Sequence, residues 1–270
     1  MKLFFRKYGE AGPPLIIVHG LYGSGDNWVS IARELSDKFE VYVVDQRNHG
    51  QSPHSGVHDY PAMREDLKKL MDVEGIDQAV LIGHSMGGKT IMSFAMEWPD
   101  RVAALISVDI APKSYRNLVL ASRNAPDHSG IIDALMDLDL EHAESREELD
   151  QALSSKIGSE RIRSFLLKNV RRDSHGKFSW RLNLEALDNN LEKIFEGMDP
   201  DAMKEKGGMT GFPALFISGA NSDYIQAGDH QLILTFFPSA EIVSLPGAGH
   251  WVHAEQPALL VKTIRYFLDI

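Results

Sequence analysis

The 270-residue chain has no cysteine. That absence removes disulfides, thiolate nucleophiles and Cys-ligated zinc together, and it agrees with a reducing compartment. No apolar run approaches the length needed to span a bilayer. The opening Met1-Lys2-Leu3-Phe4-Phe5-Arg6-Lys7-Tyr8 is interrupted by charge too soon to serve as a signal-peptide core. A cytoplasmic protein without membrane association is therefore expected. Excess positive charge is also missing: 28 Lys and Arg face 38 Asp and Glu, for a net charge of −10 and a pI near 5.5. This disfavours nucleic acid and anionic lipid as partners. There is no internal repeat and no low-complexity tract. What remains, 43% hydrophobic content over 270 residues, suits one large α/β domain with room for an insertion.

The stretch with most chemical content is Gly83-His84-Ser85-Met86-Gly87-Gly88. It follows the apolar run Ala79-Val80-Leu81-Ile82 and precedes Lys89 to Met96, where apolar residues recur every three or four positions. A buried strand thus turns into a helix at a serine, the context in which G-x-S-x-G makes a nucleophile elbow. Gly83 and Gly87 leave the strand and helix room to touch, and the strained turn exposes the hydroxyl. The N–H of Met86, at a helix start, points where an oxyanion would form. Gly87-Gly88-Lys89-Thr90 also ends like a phosphate-binding loop, but that motif would have to share its turn with Ser85.

Around the elbow, further strands are expected at Leu3 to Tyr8 (an edge), Leu15 to His19, Phe39 to Asp45, Val102 to Val108, Pro213 to Ser218 and Glu241 to Leu245. Helices are expected at Trp28 to Ser36, capped by Asp26 or Asn27, then at Tyr60 to Val73, Asp229 to Phe236 and Gln256 to Phe267. Strands and helices alternating at this spacing indicate a doubly wound, mostly parallel sheet. Between about Pro112 and Gly207 the strand signal disappears and helical periodicity takes over, as in Ile162, Phe165, Leu166 and Val170. The expected organisation is a core of residues 1–111 and 208–270 with a helical cap, 112–207, inserted.

A serine hydroxyl needs a base, and the base needs an orienting carboxylate. His250, in the Gly-rich loop Pro246-Gly247-Ala248-Gly249 after a core strand, is the preferred base over His253; His54 and His58 read as structural. Two acids follow core strands in the order Ser, Asp, His: Asp109 and Asp223. The second oxyanion donor is expected from the loop after the Leu15 strand, at the N–H of Leu21, with Gly20 and Gly23 permitting close approach. Asp45 and Arg47 read as residues that fix their own loop through charge-assisted hydrogen bonds. Tyr22, His84, Met86, Phe178 and Trp180 are candidate pocket walls.

Taken together, the elbow, His19-Gly20-Leu21-Tyr22-Gly23, Asp45-Gln46-Arg47-Asn48-His49-Gly50-Gln51-Ser52, Val108-Asp109-Ile110-Ala111-Pro112, Gly249-His250-Trp251-Val252-His253 and the cap segment Phe178 to Leu187 resemble α/β-hydrolase-fold serine esterases. The group they resemble most is the bacterial YbfF-like esterases and their eukaryotic abhydrolase-domain relatives. In many α/β hydrolases the acid lies three residues after the glycine that ends its strand, which here is Ser222, one short of Asp223. In the YbfF-like group it belongs to the Val-Asp-Ile-Ala-Pro segment, so the resemblance implies Asp109. It implies a serine carboxylester hydrolase that uses no cofactor or metal and acts on small-molecule esters or thioesters. The same parts could serve a C–C hydrolase, lactonase or perhydrolase, and a ligand sensor without turnover is the alternative from a different class. Oligomeric state is left open.

The insertion's charges are segregated. Asp127 to Asp150 is acidic, whereas Lys156, Arg161, Arg163, Lys168, Arg171, Arg172, Lys177 and Arg181 make the next stretch basic. These cations read as a solvated face, or as contacts to the phosphates of a coenzyme A thioester.

Overall fold

The computed structural model describes residues 1–116, 128–205 and 207–270. Seven strands make the main sheet: β1 (Phe5–Tyr8), β2 (Pro14–Val18), β3 (Glu40–Val44), β4 (Ala79–His84), β5 (Val102–Val108), β8 (Ala214–Gly219) and β9 (Glu241–Leu245), in the order β1-β3-β2-β4-β5-β8-β9. Only the edge strand β1 runs antiparallel; every other pairing is parallel. The strand order reverses between β2 and β4, and the crevice beyond their carboxyl ends is where open α/β sheets bind ligands. The loops carrying Leu21 and Ser85 leave the sheet at that point.

Helices cover both faces. On one side α2 (Tyr60–Glu74), α3 (Met86–Glu97) and α9 (His230–Phe236) pack on Ile16, Leu81, Leu105 and Phe216. On the other, α1 (Val29–Leu35), α10 (Val252–Glu255) and α11 (Pro257–Phe267) cover Ile17, Ile82, Ile106 and Ile217. Continuous burial along β4 and β8 explains their unbroken apolar runs, since neither face meets water. The cap expected for α1 is placed differently. Asn27 reaches back to the Ser24 N–H inside a short 3₁₀ turn, Gly25–Trp28, and Asp26 pairs with Arg6 across the sheet edge.

Between β5 and β8 lie α4 (His128–Met136), α5 (Arg146–Ser154), α6 (Glu160–Leu167), α7 (Leu184–Phe195) and α8 (Pro200–Glu205). Ile132, Leu135, Leu153, Leu166 and Leu187 give this segment its own apolar cluster, which also takes in Tyr22 of the β2 loop. The helical expectation omitted one element: β6 (Val170–Arg172) and β7 (Phe178–Trp180) form an antiparallel hairpin around a turn with Gly176 at φ 84°. Val170 therefore belongs to a strand. The acidic and basic stretches fold against one another, with Arg163 on Asp150 at 2.8 Å and Lys156 on Asp137 at 2.5 Å; Asp127 lies outside the described residues. Among the described residues no helix is long and apolar enough to cross a membrane.

Candidate active site

Ser85 sits between β4 and α3 with φ 52° and ψ −121°, a conformation that costs a non-glycine residue about 1–3 kcal/mol. The glycines around it hold this turn in place. A Cβ on Gly83 would run into the Gly87 carbonyl, and one on Gly87 would run into the Val18 carbonyl of β2. Strand, elbow and helix are thus in backbone contact, and the turn cannot relax without separating them.

The hydroxyl faces a histidine. Ser85 Oγ lies 3.1 Å from Nε2 of His250, and His250 Nδ1 lies 2.8 Å from Oδ2 of Asp109. Asp109 leaves β5 at φ 52° and is fully buried. Burying a carboxylate is costly unless its oxygens are occupied, and here they are. Gly219 N–H donates to Oδ1 at 3.0 Å, and the Ser222 hydroxyl donates to Oδ2 alongside His250. Ser222, three residues after Gly219, thus hydrogen-bonds the carboxylate that comes from β5. Asp223 is half-buried on the same loop.

His250 is held through both its ring and its backbone. Tyr224 stacks on it with ring centroids 3.7 Å apart at 17°. His84 Nε2 lies 2.8 Å from its backbone oxygen. Burial, with His253 and His250 nearby, pushes the His84 pKa well below that of a free imidazole. His84 is therefore neutral, and its Nε2–H donates to the His250 carbonyl.

Two further neutral histidines shape the loop after β2, and sequence reasoning assigned them no role. His19 Nε2 accepts the Gln46 N–H at 2.9 Å, leaving Nδ1–H to donate to the Gly20 carbonyl. His49 Nε2 accepts the Tyr22 N–H at 3.2 Å while its Nδ1–H donates to the Arg47 carbonyl. Burial lowers both pKa values. Each ring uses one nitrogen as donor and the other as acceptor, a pattern that only the neutral form supports. The loop they brace carries Leu21, which packs against Met86 at the head of α3; among the described residues neither backbone N–H donates to a protein acceptor.

Asp45 fixes its surroundings as expected, accepting from Gly25 N–H at 2.7 Å and Gln51 N–H at 2.8 Å. Arg47 turns away from it and donates to Asp66 on α2 at 2.6 Å. His253 stacks on Trp28 and His58 lies against the Met86 sulfur, both away from Ser85 Oγ.

Two cavities of about 30 Å³ each meet at Ser85, and both are bounded by Leu21 and His128. One is walled by Tyr22, His84, Ile162, Phe165 and Trp251; the other by Tyr60, Met86, Tyr115, Ile194 and Phe195. Phe165 and Trp251 also border an open groove of about 650 Å³ that carries Arg161 and Lys168. Tyr22 and His84 therefore sit at the site. Phe178 and Trp180 line neither cavity, which corrects their expected position. They are two apart on β7 and share a face: Phe178 is buried in the insertion's own cluster, and Trp180 packs on that cluster while bordering a separate groove with Gly50, His54 and Arg171. His128, Ile162, Phe165 and Ile194 were not foreseen. The helical period marks the last three as apolar, but not which cavity their face borders.

A serine, an imidazole and a buried carboxylate in hydrogen-bond sequence, at the switch point of a sheet in this strand order, match one family. The alpha/beta hydrolase fold family covers residues 13–257. The chain belongs to that family. It is an enzyme of the hydrolase class, of the esterase and lipase type its relatives represent. The chain is similar to the sn-1-specific diacylglycerol lipase ABHD11 of Mus musculus, with 38% identity over 95% of this chain and 81% of the relative. It is similar to the Escherichia coli esterase YbfF, with 36% identity over 95% and 93%. Among solved structures, a marine microorganism esterase superposes with a TM-score of 0.91 at 45% identity, over 98% of this chain and 99% of the other.

Proposed function

We propose that this α/β hydrolase is a serine carboxylester hydrolase that works through an acyl-enzyme on short- to medium-chain esters. The observation that carries the reading is the Ser85–His250–Asp109 relay, at 3.1 and 2.8 Å, with its carboxylate fully buried. Ser85 Oγ attacks the ester carbonyl as its proton passes to His250 Nε2. The resulting oxyanion takes hydrogen bonds from the N–H groups of Met86 and Leu21, each worth about 3–4 kcal/mol in such a site. Asp109 stabilises the imidazolium, which then protonates the departing alcohol; water repeats the sequence to release the acid. The acyl chain occupies the slot walled by Tyr60, Ile194 and Phe195, and the alcohol lies toward Phe165 and Trp251. In this reading residues 112–207 act as the lid that separates the two slots from water, and the setting is cytoplasmic, supported by the lack of cysteine.

A second reading, hydrolysis of acyl-CoA thioesters, draws on the open groove beyond Phe165 and Trp251, where Arg161 and Lys168 could meet a phosphorylated leaving group.

A fluorophosphonate probe tests the main proposal. Stoichiometric labelling of the wild type, abolished in Ser85→Ala together with turnover of p-nitrophenyl esters, is the expected result. An unlabelled wild type would identify a ligand-binding member of the fold instead.

A further inference from the structure

Lys89 is unused by the chemistry above, and the Gly-Gly-Lys-Thr run that holds it forms the first turn of α3 at the elbow. It lies in the first turn of α3, four residues after Ser85, and is only 1% exposed. Its ammonium donates to the Glu196 carbonyl and faces the rings of Tyr115 and Tyr60, at 4.7 and 5.7 Å from their centroids.

Glu196 ends α7. A helix leaves its last carbonyls without partners, and here three consecutive ones are taken, two by Tyr60 and Lys89 of the core and one by Tyr115 in the segment that follows β5. The Tyr60 hydroxyl donates to Ile194 at 2.7 Å, the Tyr115 N–H to Phe195 at 2.8 Å, and Lys89 to Glu196. The next residue, Gly197, presses on the backbone of the segment that follows β5 so closely that a Cβ there would lie 2.5 Å from the Ser114 nitrogen. A cation at this end also complements the helix dipole. The side chains of Ile194 and Phe195, together with the two tyrosines, wall the slot beside Ser85.

A methionine would fill the same space without desolvating a charge. Burial pulls the Lys89 pKa down to about 7, with the Glu196 carboxylate opposing that fall and Lys113 adding to it. A lysine kept at such a cost has a polar task, and the only hydrogen bond its side chain makes among the described residues is to the end of α7.

We propose that Lys89 is a positioning residue for substrate selection: it pins the end of α7 on the core, so that the Ile194–Phe195 wall sets how long an acyl chain is accepted at Ser85. This rests on the acyl-enzyme reading. The test compares Lys89→Met, Lys89→Arg and Tyr60→Phe on p-nitrophenyl esters from acetyl to octanoyl, with fluorophosphonate labelling of each variant. In Lys89→Met the KM for the acetyl ester rises about tenfold while kcat stays within about threefold, and the preferred chain lengthens. Lys89→Arg, which keeps a donor and a charge, restores part of the wild-type profile. Tyr60→Phe, which removes only the Ile194 bond, shifts preference the same way by less and serves alone if Lys89→Met does not fold. An unchanged chain-length profile, or an equal loss for all esters, overturns the proposal. An unlabelled wild type overturns the acyl-enzyme reading instead.

Discussion

At the scale of single residues, strain and burial concentrate around one hydroxyl. Tyr22, Asn48, Ser85 and Asp109 are four of the five non-glycine residues at positive φ among the described residues, and all four lie in loops at the carboxyl edge of the sheet. Such conformations persist only where surrounding structure over-determines them. Asp109 illustrates this: its backbone is strained and its carboxylate buried, yet Gly219, Ser222 and His250 occupy its oxygens. If Asp109 orients the base, Asp109→Asn lowers kcat by about 10⁴ because the wrong imidazole tautomer is stabilised. Asp223→Asn then stays within about threefold of wild type. The reverse ranking in steady-state ester hydrolysis would transfer the role to Asp223.

At the scale of elements, the basic stretch divides into two surfaces. Arg171 and Arg172 lie on β6, where Arg171 donates to Ser179 and Arg172 lies over Phe178 and donates to the Gly176 carbonyl. Arg171 borders a groove that shares no lining residue with either cavity at Ser85. Lys168, at the end of α6, borders the groove that does. On the thioester reading, Lys168→Glu raises KM for acyl-CoA several-fold, whereas Arg171→Glu with Arg172→Glu leaves it unchanged, and neither alters p-nitrophenyl ester turnover. Equal effects of the two changes on acyl-CoA would reject Lys168 as the phosphate contact. The sequence could not separate these surfaces. The Val170–Trp180 hairpin is only three residues a side, too short for alternation to outweigh the helical pattern before it.

At the scale of the whole molecule, buried neutral histidines set a pH limit. Burial lowers His58 and His253 to about 3, and holds His49 and His84 well below the usual range. An unfolded chain protonates these rings near pH 6.5, whereas the folded protein keeps them neutral. The unfolded state therefore binds more protons between about 6.5 and 3, and stability present above 6.5 is lost as pH falls through that window. At pH 5.5 each fully buried ring costs about 1.4 kcal/mol, so His58 and His253 together remove roughly 3 kcal/mol. Urea unfolding at pH 7.5 and 5.5 measures this, and equal midpoints at constant slope would contradict it.

The sequence by itself determined the sheet, the elbow and the histidine that faces it, because these depend on local signals: apolar runs, a serine flanked by glycines between strand and helix, and a histidine in a glycine-rich loop. The residues alone leave two aspartates open and the resemblance implies Asp109; it is the tertiary structure that places the Asp109 carboxylate 2.8 Å from the His250 ring. Asp109 and Asp223 are both polar residues after core strands, and their separation from His250 depends on the pairing of β5 with β8 and on the Ser222 hydroxyl between them. The same holds for the histidines that brace the Leu21 loop and for Lys89 under the end of α7. Their partners are 27 or more residues away in the chain, and no periodicity in a sequence encodes a contact at that distance.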